Sequence, residues 1–256
     1  MLQAEEHVVD LRWPVVAGAV LVIGALVVGA NVLDTARRSG TYAEYWRTRM
    51  AEPVAPGAVR LVALGDSSVE AIGAAHPLDG YVGRIARHVA ARTGRPVHIA
   101  NVSKGGTTAD VLARQLRLVD LERADLVVVA DANDMQRRVP PDRYRRDVEA
   151  LARRLPADCT VYSDLPLMPG RGPYQAVLQH VTDARGIARA DFARAFNGEG
   201  RRLDIFSWLP PHLNSRGYGY WYGAFVPAVD HIVDRMAPAR AARPPQEESN
   251  RCSTSR

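Results

Sequence analysis

The sequence is almost devoid of lysine and nearly devoid of cysteine. Lys104 is the only lysine among 33 basic residues, and Cys159 and Cys252 are the only cysteines. Two cysteines are too few for a disulfide framework, and the chain has no CxxC pair and no HExxH motif. No metal site and no cofactor is therefore indicated. The formal charge of +5 is scattered without an aromatic-interleaved basic stripe, which argues against nucleic-acid binding.

One long stretch lacks charged side chains altogether. Residues 13–33 read WPVVAGAVLVIGALVVGANVL, which is long enough to cross a bilayer as a helix. We predict an N-terminal tail at residues 1–12 followed by this single membrane segment. Small residues at 28–30 fit a signal-peptidase site, but the acidic residues ahead of the run are poor for a signal peptide. An uncleaved anchor is favoured, with a cleaved segment as the alternative.

The remainder of the chain divides by composition into three parts. Residues 34–57 are interpreted as a juxtamembrane helix and a proline-containing linker. Residues 58–236 alternate apolar runs with amphipathic segments, and residues 237–256 have so few bulky apolar side chains that we predict disorder. The folded domain is therefore expected at residues 58–236.

Within that domain, continuous β-branched runs indicate strands that are buried on both faces. Four such runs are present: residues 59–66, 97–103, 125–134 and 159–167. The segments between them have helical spacing, as does the last segment of the domain. Strands alternating with helices predict a parallel, flavodoxin-like sheet in a three-layer α/β/α sandwich. Functional groups in such a sheet lie at the carboxyl ends of the strands.

Polar clusters follow three of the predicted strands, reading LGDSS, NVSKGGTT and DANDM. With the loop around His212, they resemble the four sequence blocks of the SGNH (GDSL-type) hydrolase family. The matching residues, in block order, are Gly65, Asp66, Ser67 and Ser68; Asn101 and Gly106; Asn133 and Asp134; and His212, Gly217 and Tyr218. Four blocks in the family order are a specific signal, and they span about residues 58–236.

The resemblance implies a serine hydrolase. Ser67 would be the nucleophile and His212 the base that takes its proton. The backbone N–H groups of Ser67 and Gly106, with the side-chain amide of Asn133, would form an oxyanion hole. Asp66 and Asp134 are interpreted as residues that fix loops.

The sequence departs from the family where a triad aspartate would orient the histidine. Leu209 stands at that position, and Asp131 replaces a glycine of the third block. Three groups could accept from His212 Nδ1–H: the main-chain carbonyl of Leu209, held by the two prolines that follow it, or the carboxylates of Asp204 and Asp131. The fourth possibility is that nothing replaces the aspartate and the site is slow or inactive.

These observations favour a membrane-tethered serine esterase acting on acyl or acetyl esters of a lipid, glycan or small molecule. An acyltransferase using the same site and a non-catalytic ligand-binding domain are the alternatives. The arginines after residue 33 favour a cytoplasmic body by the positive-inside rule, whereas an N-terminal anchor on a hydrolytic domain favours an extracytoplasmic one. We expect the extracytoplasmic arrangement. The sequence does not predict the oligomeric state.

Overall fold

The computed structural model describes residues 12–196, 203–207 and 212–236. The predicted tails at residues 1–12 and 237–256 lie outside the described residues, apart from Arg12. Leu209, the first candidate for orienting His212, lies outside them as well.

The centre of the domain is a five-stranded, fully parallel sheet in the order β2-β1-β3-β4-β5. The strands are β1 (Val59–Gly65), β2 (Val97–Asn101), β3 (Leu126–Ala130), β4 (Thr160–Ser163) and β5 (Ala188–Ala190). β3 is buried along its whole length, as its continuous apolar run predicted. The predicted parallel sheet is confirmed. Sequence analysis missed the three-residue β5 and extended the third strand into what is a short helix beginning at Asn133.

Helices cover both faces of the sheet. In chain order they are α1 (Arg12–Met50), α2 (Tyr81–Thr93), α3 (Ala109–Gln115), α4 (Asn133–Gln136), α5 (Pro141–Ala152), α6 (Arg171–Arg185), α7 (Phe192–Ala195) and α8 (Ser215–Val233). The buried side chains of α2 and α8 form one hydrophobic core with the sheet. Those of α3, α5 and α6 form a second core on the opposite face. This is the predicted α/β/α sandwich.

Helix α1 has two halves with different surroundings. Its N-terminal half is exposed, and the helix is long and apolar enough to cross a membrane, a length and composition that a signal sequence also has. Near its C-terminal end, Tyr42 and Trp46 are buried against the domain. Tyr42 Oη donates to the carbonyl of Ala74 at 2.8 Å, and Trp46 Nε1 donates to the carbonyl of Glu70 at 3.0 Å. These contacts attach α1 to the loop that follows β1.

We expect Trp46→Ala to lower the free energy of unfolding by about 3–5 kcal/mol, because it empties a buried indole site. Denaturant unfolding of the full-length protein in detergent measures this. Trp13→Ala is the matched control, since Trp13 lies on the same helix and is 74% exposed. Equal losses in the two variants would contradict the docking of α1 on the domain.

Candidate active site

The site begins where β1 ends, at a position that only glycine can occupy. Gly65 has a φ of +151°, and a Cβ there would lie 2.0 Å from the carbonyl oxygen of Ala130 on β3. The buried side chain of Gln115 accepts from Gly65 N–H and donates to its carbonyl, both at 2.9 Å. The chain therefore turns sharply over the sheet edge and presents Ser67 above it.

Asp66, the residue before this serine, connects the ends of β1 and β3. Its carboxylate accepts from Ser68 N–H at 2.8 Å, from Ala132 N–H at 3.0 Å and from Asn133 Nδ2 at 3.1 Å. Burial raises the pKa of Asp66 above its ordinary value, and the hydrogen bonds from Ser68 oppose that shift. Asp66 acts as a loop-fixing residue, as the sequence suggested.

The structure brings the predicted nucleophile and base together. Ser67 Oγ lies 3.1 Å from His212 Nε2, although 145 residues separate them in the chain. This distance is within the range over which a histidine can take the proton of an attacking hydroxyl.

His212 is held through its own backbone. Residues Phe206 and Leu213 form an antiparallel bridge, and within it Ser207 donates to the carbonyl of His212 twice: through its N–H at 2.8 Å and through its hydroxyl at 3.0 Å. Gly73 lies against the same segment with a φ of +96°, and a Cβ there would lie 2.8 Å from His212 Cβ. The position of the imidazole therefore depends on close approach of these two loops.

Helix α8 begins three residues after the histidine, at Ser215, and its N-cap Asn214 also holds this loop. Asn214 Oδ1 caps it by accepting from the N–H groups of Arg216 and Gly217, both at 3.0 Å. Its Nδ2 donates to the carbonyls of Asp204 and Phe206. Asn214 thus connects the N-terminus of α8 to the segment that pairs with the loop around His212.

The three predicted oxyanion donors differ in the hydrogen bonds that they already make. Among the described residues, the N–H groups of Ser67 and Gly106 have no hydrogen-bond acceptor, and Gly106 has a φ of +75°. Asn133 Nδ2 is differently placed, since it donates to Asp66 Oδ2 and, at 2.9 Å, to the carbonyl of Thr107. Its amide would reach an oxyanion only by giving up one of these bonds.

The two carboxylates considered as partners of His212 have other contacts. Asp204 is exposed and accepts from Arg216 Nη1 at 2.6 Å. Asp131 is buried, accepts from Tyr162 Oη at 2.9 Å and lies beside Asp134. Burial raises the pKa of Asp131 well above its ordinary range, and the charge of Asp134 raises it further. Each of the two carboxylates therefore has a hydrogen-bond partner other than His212.

Asp66 also interacts electrostatically with His212. The positive charge of a protonated His212 lowers the pKa of Asp66, against the larger effect of burial. Sequence analysis assigned Asp66 only a loop-fixing role, because the spacing of residues along the chain does not reveal how close Asp66 lies to His212.

Glu70 is a second acidic residue of the site, and sequence analysis did not identify it. It is buried, and its Oε2 accepts from Gly105 N–H at 2.9 Å, beside the predicted oxyanion donor Gly106. Burial raises the pKa of Glu70 to about 7, Asp66 raises it further, and the hydrogen bond from Gly105 and the charge of Lys104 lower it. Glu70 belongs to no family block, so no motif signals it.

A cavity of about 710 Å³ opens over Ser67 and His212. Its size is that of a small-molecule site. The walls away from the two polar residues are apolar and include Leu167, Met168, Phe192, Phe196, Phe206 and Trp221. The arrangement can therefore hold an apolar group next to a serine with an adjacent base.

Comparisons with known proteins agree with this geometry. Residues 63–220, well over half of the chain, match the model of the GDSL-like Lipase/Acylhydrolase family. No curated protein matches the sequence.

Several solved structures have the same fold. A lipase/acylhydrolase from Enterococcus faecalis is 21% identical with a TM-score of 0.58, over 72% of this chain and 100% of that one. TesA is 21% identical with a TM-score of 0.58, over 68% and 99%. A variant of an acetyl xylan esterase from Geobacillus stearothermophilus is 19% identical with a TM-score of 0.54, over 67% and 94%.

We expect Gly73→Ala to slow labelling of Ser67 by a fluorophosphonate at least tenfold. The added Cβ would meet His212 Cβ and the carbonyl of Leu213, and a shift of about 1 Å in a catalytic group can cost a factor of about 100. Gly94→Ala is the control, because Gly94 also has a positive φ but has open space around its Cβ position. Similar labelling rates in the two variants would contradict the steric role of Gly73.

Glu70 should make the folded state less stable as pH rises. Because its pKa is raised from 4.5 to about 7, the folded chain binds more protons than the unfolded chain between these values, so this contribution falls with pH across that window. Glu70→Gln removes the titration and keeps an acceptor for Gly105 N–H. Denaturant unfolding measures the stability of Glu70→Gln relative to the wild type. This relative stability should be higher at pH 8 than at pH 5.

The exposed Glu122→Gln controls for the loss of one negative charge. If the wild type and Glu70→Gln had parallel stability curves between these pH values, Glu70 would not titrate in this range.

Proposed function

Since the chain belongs to the GDSL-like lipase/acylhydrolase family, we propose that it is a serine ester hydrolase working through an acyl-serine intermediate. The observation that supports this most directly is the 3.1 Å approach of Ser67 Oγ to His212 Nε2 at the floor of an apolar cavity. A protein that only binds a ligand has no chemical need for this pair.

In the proposed reaction, Ser67 Oγ attacks the ester carbonyl while His212 Nε2 takes its proton. The tetrahedral intermediate collapses, the C–O bond to the alcohol breaks, and His212 gives that proton to the leaving oxygen. A water then attacks the acyl-serine with His212 again as base. Release of the acid restores the Ser67 hydroxyl, so protons and bonds balance over the cycle.

The backbone N–H groups of Ser67 and Gly106 are proposed as the first two oxyanion donors. Both lack an acceptor among the described residues, so no existing bond has to break when the negative charge forms. Asn133 is proposed as the third donor, exchanging its bond to the carbonyl of Thr107 for one to the oxyanion.

As the acceptor for His212 Nδ1–H we propose the carbonyl of Leu209, held by the two prolines that follow it. Asp131 and Asp204 are weaker candidates, because the first is buried and accepts from Tyr162 and the second is paired with Arg216. The negative charge that a triad aspartate would supply comes in this proposal from Asp66, which interacts electrostatically with His212.

The proposed location is a membrane surface, with residues 13–33 as a single-pass anchor and the domain at residues 58–236 on the extracytoplasmic side. Support comes from the exposed, apolar first half of α1. The acyl esters of lipids and glycans are within reach of such an enzyme. One structural neighbour is an acetyl xylan esterase by name, which makes acetyl groups on a glycan one form of the substrate.

The test is hydrolysis of p-nitrophenyl butyrate by the full-length protein in detergent. Ser67→Ala should abolish turnover and fluorophosphonate labelling, and Asn133→Ala should lower kcat by about a hundredfold if its amide is an oxyanion donor. Ser68→Ala, which changes only the adjacent serine, should keep the label on Ser67 as located by mass spectrometry. Turnover that survives in Ser67→Ala, or a folded wild type that is neither labelled nor active, would refute the proposal.

A further inference from the structure

Helix α1 does more than precede the catalytic domain: it forms one wall of the cavity over Ser67. The contributing residues are Val32, Thr35, Ala36 and Ser39. Successive members of this set are three, one and three residues apart, which places them on a single face of the helix. Ser39 comes so close to the oxyanion loop that a Cβ on Gly105 would lie 3.7 Å from its hydroxyl and 3.7 Å from Ser67 Cβ.

A second, smaller cavity of about 430 Å³ is also lined by His212. Helix α1 contributes Asp34, Thr35 and Arg38 to it, and the loop around the histidine contributes Ser207 and Asn214. Unlike the first cavity, it is lined largely by polar side chains. His212 thus lines both an apolar cavity and a polar one.

The order of proton transfers assigns a part of the substrate to each cavity. Ser67 lines only the apolar cavity, so the acyl group that becomes attached to it must occupy that side. The alcohol oxygen leaves from the carbon bonded to Ser67 and takes its proton from His212 Nε2, and the rest of the alcohol is assigned to the polar cavity that His212 also lines. The two cavities therefore match the two halves of an amphiphilic ester.

We infer that α1 is part of the substrate site, and that the substrate is an ester of an apolar acyl chain with a hydroxyl-rich alcohol. The chain lies along Val32 and Ala36, and the alcohol lies against Asp34 and Arg38. This inference rests on the proposed esterase function and adds the substrate class to it.

The polar cavity has the right groups for an alcohol with several hydroxyls. Arg38 Nε donates to Asp34 Oδ2 at 2.7 Å, and Arg38 Nη1 also reaches the carbonyl of Ala74 at 3.5 Å. Both side chains stay about half exposed, at 44% and 58%, so each keeps polar atoms for a ligand. The carboxylate can accept from hydroxyls and the guanidinium can donate to them.

The position along α1 indicates where such a substrate would come from. Val32 is the second-last residue of the uncharged run at 13–33, and Asp34 is the first charged residue after it. If that run spans the hydrocarbon core, the apolar cavity begins at its edge and the polar cavity lies at headgroup level. A lipid could then move its acyl chain sideways from the bilayer into the cavity.

The acyl side is tested with p-nitrophenyl acetate and p-nitrophenyl octanoate on the full-length protein in detergent. The wild type should have a higher kcat/KM for the octanoate, and Ala36→Trp should lower the octanoate-to-acetate ratio at least tenfold by filling the cavity. Ala43→Trp is the matched control: it lies on the same helix, is exposed and lines neither cavity, and should leave the ratio unchanged.

The alcohol side is tested with glyceryl monobutyrate against methyl butyrate, which share an acyl group. Asp34→Asn and Arg38→Gln should each lower the glyceryl-to-methyl ratio of kcat/KM by about three- to tenfold, because charge-assisted hydrogen bonds to the alcohol are lost.

The outcomes separate this inference from the proposed function. Loss of acetate hydrolysis only in Ser67→Ala supports the esterase irrespective of α1. With that activity present, an octanoate-to-acetate ratio unaffected by Ala36→Trp, or affected equally by Ala43→Trp, would overturn the acyl assignment. Unchanged glyceryl-to-methyl ratios in both polar variants would overturn the alcohol assignment.

Discussion

The site depends on one buried carboxylate. Asp66 sits between the nucleophile and the sheet and accepts N–H donors from its own turn and from the segment after β3. A buried acidic group without such donors would be costly, so these bonds also hold the two strand ends in one arrangement. Asp66 therefore positions the serine and the asparagine, and it also contributes to the electrostatic environment of the histidine.

Backbone pairing of its loop holds the histidine in place. Its carbonyl is fixed by both donors of Ser207, and its loop packs against a glycine in the left-handed region. Such a design separates two functions that a triad aspartate combines, namely orientation of the ring and stabilisation of its positive charge. In the proposed mechanism the loop orients the ring, and Asp66, next to the nucleophile, supplies the negative charge.

The sequence predicted the architecture well because its signals were local. Continuous β-branched runs gave the strands, and the four ordered blocks located Ser67, Gly106, Asn133 and His212. The three-residue β5 was missed because so short a run carries little periodicity. Glu70, Gly73, Gln115 and Ser207 were missed for another reason. Their roles arise only when loops far apart in sequence meet, and no spacing rule describes such a contact.

The sequence analysis separated an anchor at residues 13–33 from a juxtamembrane helix and linker at residues 34–57, and in the structure one continuous helix runs from Arg12 to Met50. A soluble version of this protein would naturally be cut after the hydrophobic run, for example at residue 40. Such a fragment would retain Tyr42 and Trp46 and fold around the same sheet, but it would lack Val32, Thr35, Ala36 and Ser39. The cavity over Ser67 and His212 would then be open to water on one side. Kinetics measured on that fragment would describe a different binding site.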